Sequence, residues 1–271
     1  MSGFDLIIKQ DKEEIEAAEV FVRGTIDGRQ YWFLLDTGAA ITSIKFDDYT
    51  AGFDCISKRV SSGLFEECTD DLIIVPTIEL GPIAKQNFMI ARIPKGNPEI
   101  RNLIGMDFLK AYGCHFLFDE HRVTINTEDD LVSDCRFQTL TLGQAFHPYV
   151  EVQFGTHKAQ AVWDTGAGIT VVDMGFIQAH AAFFQEVGVS TTGTDSTGST
   201  RKTPMFIMAK AVIGGYEFPP HKVAGVDMSP ISDRADIPMD LVLGYSTLSK
   251  ANWVFDFPRR KWAVAKFLAV K

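Results

Sequence analysis

Short runs in which apolar and polar residues alternate, cut by glycine-bearing turns, dominate the chain, and this pattern predicts a fold built mainly from strands. Residues 20–26 alternate in part, Asp27 and Gly28 form a hairpin turn, and residues 30–35 make an apolar strand running into Asp36. The same succession returns later: residues 149–154, a turn at Gly155 and Thr156, and residues 159–163 running into Asp164. Further strands are expected over 71–80, 86–92, 204–213 and 222–228. Helix is predicted in few places. Residues 174–186 carry Ile177, His180, Phe183 and Phe184 at helical spacing, with Asp173 as N-cap and Gly188 just past the end, and short helical turns follow Gly105 and Gly244.

The returning pattern is a duplication. FLLDTGAAIT at 33–42 matches AVWDTGAGIT at 161–170, an offset of 164 − 36 = 128. Downstream, LIGMDFL at 103–109 matches VLGYSTL at 242–248, an offset of 244 − 105 = 139, and Phe116 and Phe118 align with Phe255 and Phe257. The additional 139 − 128 = 11 residues fall between the matches, where loops of different length belong. A given Asp-Thr-Gly arises by chance at about one position in several thousand, so two copies in matching contexts mark a repeat. The acidic stretch 126–130 separates the copies and places a boundary near residue 130, giving one domain over 1–130 and another over 131–271.

Bulk properties narrow the partners. Hydrophobic residues at 46% and charged residues at 23% are enough for two packed cores. A net charge of −9 repels a phosphate backbone, which argues against nucleic acid. The start of the chain lacks a basic segment followed by a long apolar one, and apolar runs elsewhere are short, so a soluble, cytoplasmic protein without membrane contact is expected. Cys55, Cys68, Cys114 and Cys135 are read as reduced thiols. With His115 and His121 scattered among strands and surface, no metal-ligand spacing emerges, and neither metal nor cofactor is expected.

The repeated Asp-Thr-Gly suits hydrolysis of an amide without a metal. Two carboxyl groups about 3 Å apart cannot both ionise comfortably, so the pair holds one proton. Its charged member can deprotonate water while its protonated member donates to the carbonyl oxygen. Each Asp stands between an apolar strand and a Gly, at a strand end where the backbone can turn tightly. Asp107, in the first turn of a helix, is given no catalytic role.

On these motifs the sequence resembles the retropepsin-like aspartic peptidases: DTGA is similar to their catalytic loop, and NLIGMDFLKAYGC at 102–114 to their second signature. The resemblance runs along nearly the whole chain, twice. It implies an all-β fold with a few short helices: two homologous closed β-barrel lobes forming a pepsin-like pseudo-dimer around a cleft. It implies Asp36 and Asp164 as the catalytic dyad, supported by Thr37, Gly38, Ala39, Thr165, Gly166 and Ala167, with the threonines interlocking the two loops. Flap hairpins should follow each catalytic strand, with Ser61, Ser62 and Gly63 in one and Thr194, Asp195 and Ser196 in the other. They would close over an extended polypeptide substrate. Retroviral-type enzymes pair two chains, whereas this chain carries both copies, so a monomeric endopeptidase is expected. Pepsin-type enzymes carry Ser or Thr after the Gly. Ala39 and Ala167 remove that hydroxyl, so a less acidic dyad is expected, active at mildly acidic to neutral pH. Two other functions fit the same residues: a peptide-binding scaffold with weak or no turnover, and a protease whose lobes pair between chains.

Overall fold

Buried and accessible positions alternate through Ala18–Ile26, and the next strand, Arg29–Leu35, ends in three consecutive buried residues, Phe33, Leu34 and Leu35. The strand that feeds Asp36 is therefore covered on both faces where it reaches its end. Asp27 and Gly28 between these strands have φ of 48° and 75°, as a two-residue hairpin requires. The computed structural model describes residues 2–94, 99–126, 135–232 and 235–268; over these the protein is mainly β with a few short helices. The expected boundary near residue 130 lies outside the described residues.

Eight strands of the first half form one sheet in the order Ile7–Gln10, Ala18–Ile26, Arg29–Leu35, Leu103–Ile104, Ser43–Lys45, Ile83–Ile93, Glu67–Leu80, Ser57–Ser62. Thr25 also pairs with Glu79, which closes the six middle strands into a ring. In the second half the order is Phe184–Thr194, Thr200–Met208, His221–Val226, Val171–Asp173, Leu241–Leu243, His157–Trp163, Pro148–Phe154, Ala211–Ile213, Tyr216–Phe218. In both halves the strand ending in the repeated Asp pairs in parallel with the short apolar strand from the second match: Leu35 with Ile104, Trp163 with Leu243.

A third sheet belongs to both halves. Gly3–Asp5, Arg122–Asn126 and Gly113–Leu117 continue into Ala251–Asp256, Lys261–Phe267 and Gln138–Thr139, joined where Phe116 stands opposite Trp253. Trp163, fully buried one residue before Asp164, packs its ring on Phe116 and Phe255 of this sheet at centroid distances of 4.7 and 4.5 Å. The strand end that carries Asp164 is thus fixed by residues from both halves of the chain.

Two expected elements differ. Residues 174–186 do not form one helix: Met174–Ala179 is helical, capped by Asp173 accepting the Phe176 N–H at 3.0 Å, Ala181–Phe183 is a 3-10 turn, and Phe184–Thr194 is a strand. Phe183 and Phe184 both reach the Phe154 ring, at 5.2 and 5.8 Å, so the apolar spacing serves one core from two elements, while Phe184 and Glu186 take up ladder partners Met208 and Phe206. Residues 204–213 are two strands, Thr200–Met208 and Ala211–Ile213. Met208 pairs with His221 and Ala211 with Phe218, so the break at Ala209 and Lys210 faces Pro219 and Pro220, which have no N–H to offer a ladder. The equivalent first-half strands, Glu67–Leu80 and Ile83–Ile93, run unbroken. Among the described residues no helix is long and apolar enough to cross a membrane, and no disulfide joins Cys55 to Cys68.

Candidate active site

Each repeated Asp is held from below by the strand paired with its own. The Asp36 N–H donates to the Ile104 carbonyl and the Asp164 N–H to the Leu243 carbonyl, both at 3.0 Å. The glycine after each apolar pair lets a short helix start against the loop. A Cβ on Gly105 would stand 2.7 Å from the Ile41 carbonyl carbon, and one on Gly244 2.3 Å from the Ile169 oxygen. The N–H groups of Met106 and Tyr245 then donate to the Ala39 and Ala167 carbonyls at 2.8 Å. Thr42 and Thr170 accept from the Gly105 and Gly244 N–H groups through their hydroxyls, both at 3.1 Å. Beneath this level the copies diverge. Asp107 accepts from the Thr42 N–H and hydroxyl at 2.9 and 2.7 Å. In the second half Ser246 accepts the Thr170 N–H at 3.0 Å, and Thr247 links Thr170 to His221.

The two loops interlock through their threonines. The Thr37 hydroxyl donates to the Trp163 carbonyl at 2.8 Å and accepts the Thr165 N–H at 3.1 Å. Reciprocally, the Thr165 hydroxyl donates to the Leu35 carbonyl at 2.6 Å and accepts the Thr37 N–H at 3.2 Å. Both side chains are buried. The glycines that follow let the carboxylates approach the opposite loop: Asp164 Oδ1 accepts the Gly38 N–H at 3.0 Å and the Gly166 N–H at 2.8 Å. A Cβ on Gly38 would lie 2.5 Å from Asp164 Oδ2, and one on Gly166 2.4 Å from Asp36 Cγ. Only glycine fits at either place.

The carboxyls differ in environment. Burial pushes the Asp36 pKa well above the usual carboxylate range, and the neighbouring Asp164 charge and the hydrogen bond between the two carboxyls push it further. Burial also raises Asp164, but the Gly166 and Gly38 N–H groups, His147 and Asp36 pull it back. Two buried carboxyls in hydrogen-bond contact hold one proton between them, and the pair titrates as one unit.

His147 was not among the expected site residues. No repeat or motif marks it, and the fold brings it in from just before Pro148–Phe154. Burial lowers its pKa, while the charges of Asp164 and Asp236 and a hydrogen bond to the Gly38 backbone raise it. Protonation of His147 at low pH adds positive charge beside Asp164 and favours its carboxylate. His147→Gln is therefore expected to shift the acid limb of any Asp164-dependent activity towards neutral pH. The change should be a loss of several-fold at the acid end with little change near neutrality, read from the pH profile of kcat/KM.

Two hairpins meet above the loops. The expected residues Ser61 and Ser62 sit at the end of Ser57–Ser62 and engage their own hairpin: the Ser61 hydroxyl donates to Asp70 at 2.6 Å and that of Ser62 to Glu67 at 3.5 Å. Thr194 pairs with Thr200, and Ser196 lies in the turn between those strands. Gly63 and Asp195 are brought together across the halves, since a Cβ on Gly63 would stand 2.3 Å from Asp195 Oδ2. That oxygen accepts the Phe65 N–H at 2.7 Å, while Asp195 Oδ1 organises its own turn by accepting from the Thr197 N–H and hydroxyl and the Ser199 N–H. Arg201 donates to the Phe65 carbonyl at 3.2 Å and lies 5.3 Å from its ring centre. Phe65 and Arg201 were also missed by sequence reasoning, although two adjacent large apolar residues, Leu64 and Phe65, between polar flanks were a signal. Leu64 and Phe65 cover an apolar cluster of Val171, Val226, Met228 and Val242 that adjoins Ala167. Asp195→Ala removes a charge-assisted bond between the tips, so exchange of the Phe65 amide hydrogen should speed up about tenfold or more.

Residues 22–108 match the family model described as Aspartyl protease. The matched segment contains the Asp36 loop and ends within the helical turn Met106–Leu109; the Asp164 loop lies outside it. No curated protein matches the chain.

Proposed function

Over residues 22–108 the chain belongs to the aspartyl protease family and is retropepsin-like in its motifs, and from that premise we propose that it is an endopeptidase whose dyad, Asp36 and Asp164, is completed within one chain by two lobes around a cleft. The observation that carries this is the reciprocal Thr37–Thr165 interlock, which sets two buried carboxyls against each other. The substrate is a polypeptide in extended form, lying between the loops and the two hairpins. The protein acts as a monomer.

In this mechanism water attacks the scissile carbonyl carbon. The Asp164 carboxylate takes a proton from the water as Asp36 gives its proton to the carbonyl oxygen, which leaves a neutral tetrahedral diol. Collapse reverses the roles. Asp36 takes a proton from one diol hydroxyl, Asp164 gives its proton to the nitrogen, the C–N bond breaks, and both carboxyls return to their starting states. No bond between enzyme and substrate forms. The loop positions the dyad before substrate arrives, so little reorganisation is needed at the moment of reaction.

The test is cleavage of a diverse peptide pool from acid to neutral pH by the native chain. Cleavage strongest at mildly acidic to neutral pH is expected, with inhibition by a peptide whose scissile amide is replaced by a hydroxyl-bearing carbon. Such a mimic of the tetrahedral diol should bind at least ~10²-fold more tightly than the parent peptide. Binding of peptides without cleavage under any condition would instead mean a peptide-binding module.

A further inference from the structure

The offset that relates Asp36 to Asp164 also relates Ser43 to Val171, since 171 − 43 = 128. Both residues open a three-residue strand just downstream of an Asp loop, and their registers correspond. Ser43 stands opposite Leu103 and Ala91, Val171 opposite Val242 and Ala224. The next residue in each strand, Ile44 or Val172, enters the main core. Strand alternation therefore directs Ser43 and Val171 to the other face.

On the second-half side that face is wholly apolar. Val171 clusters with Val226, Met228 and Val242 beside Ala167 of the Asp164 loop, and Leu64 and Phe65 of the first hairpin lie over it. On the first-half side Ser43 replaces the valine. It is buried, and its hydroxyl has no hydrogen-bond partner. Buried hydroxyls are nearly always paired, and a valine would fill the space without an orphan, so the serine calls for an explanation. The hairpin tips differ in the same sense: against Leu64 and Phe65 in the first, the second presents Asp195, Ser196 and Thr197.

Resting on the endopeptidase function proposed above, we infer that the cleft is chemically lopsided. Beside Val171 it takes an aliphatic or aromatic substrate side chain. Beside Ser43, on the other side of the bond to be cut, it takes a small hydrogen-bonding one such as Ser, Thr or Asn, whose polar group completes the Ser43 hydroxyl. A substrate group that pairs a buried hydroxyl is strongly preferred over an isostere that leaves it orphaned, whereas a wholly apolar pocket discriminates only by fit. The two-lobed chain, unlike a pair of identical subunits, is free to carry such a difference.

Cleavage-site profiling with a peptide library tests this. The native chain should prefer apolar residues on one side of the cut and small polar residues on the other. Ser43→Val should raise cleavage of peptides with Val or Ile at the polar side about tenfold relative to those with Thr or Asn. Ser43→Ala, which removes the hydroxyl without adding bulk, should lose the polar preference. Val171→Ser should weaken the apolar preference instead. Equal apolar preference on both sides in the native chain, or a profile unchanged by Ser43→Val, would overturn the inference while leaving the endopeptidase standing. Failure to cut any peptide would count against the enzyme; the pockets are then read by binding of peptides with a non-hydrolysable central bond, where Val-for-Thr exchange at the two positions should have opposite effects.

Discussion

Asp36→Asn is expected to lower kcat for peptide cleavage by about 10²–10⁴-fold, and Asp164→Asn by a similar factor, because each removes one of the two proton-transfer partners. The two substitutions should not add, since either alone leaves no group able to complete the cycle. Their effects on stability differ from their effects on rate. The Asp36 pKa is raised in the folded chain by burial and by Asp164. Its contribution to stability is therefore fully present below the ordinary carboxylate pKa and is lost as pH rises through its folded value. Asparagine cannot ionise and keeps the neutral state at every pH. Asp36→Asn should thus unfold at a higher temperature than the native chain at neutral pH, with the difference shrinking towards acid. A variant that is dead, folded and more stable at neutral pH identifies a strained catalytic pair. Retained turnover, or a stability change with the opposite pH dependence, would remove Asp36 from the dyad.

What the sequence carries of this site follows from its being built twice. The strand ends at Asp36 and Asp164, the interlocking threonines, and the glycines at 38, 105, 166 and 244 each repeat a local constraint, so comparison of the copies exposes them. The strand-rich pattern was legible for the same reason: hairpins such as Ala18–Ile26 with Arg29–Leu35 are closed by adjacent residues. Contacts between distant segments left no such trace. The sheet shared by Gly3–Asp5 and Ala251–Asp256 joins opposite ends of the chain, and the tip contact between Phe65 and Asp195 spans 130 residues. His147 enters the site only through the path of a loop closed by the Gly143 and His147 backbones. The misread helix at 174–186 shows a different limit. Periodicity records which residues reach the core, and Phe183 and Phe184 do reach it, but a helical turn followed by a strand presents them as well as one helix does.

Thr165→Val should destabilise the protein by about 2–5 kcal/mol, a large share of the roughly 5–15 kcal/mol that holds a typical domain together. Valine keeps the volume and β preference of threonine, so packing changes little. What is lost is the hydroxyl that donates to the Leu35 carbonyl and accepts the Thr37 N–H, both in the buried region beneath the carboxylates. Each unpaired buried group costs about 1–3 kcal/mol. Because Leu35 and Thr37 flank Asp36, the same loss frees the Asp36 loop relative to Asp164, and cleavage should fall more than the unfolded fraction explains. Denaturant titration gives the stability term and kcat per folded molecule gives the positioning term. Thr165→Ser separates the two explanations, since it returns the hydroxyl and omits only a methyl group: it should recover most of both quantities. A serine variant as weak as the valine one would mean that the methyl packing, and not the interlock, holds the two loops together.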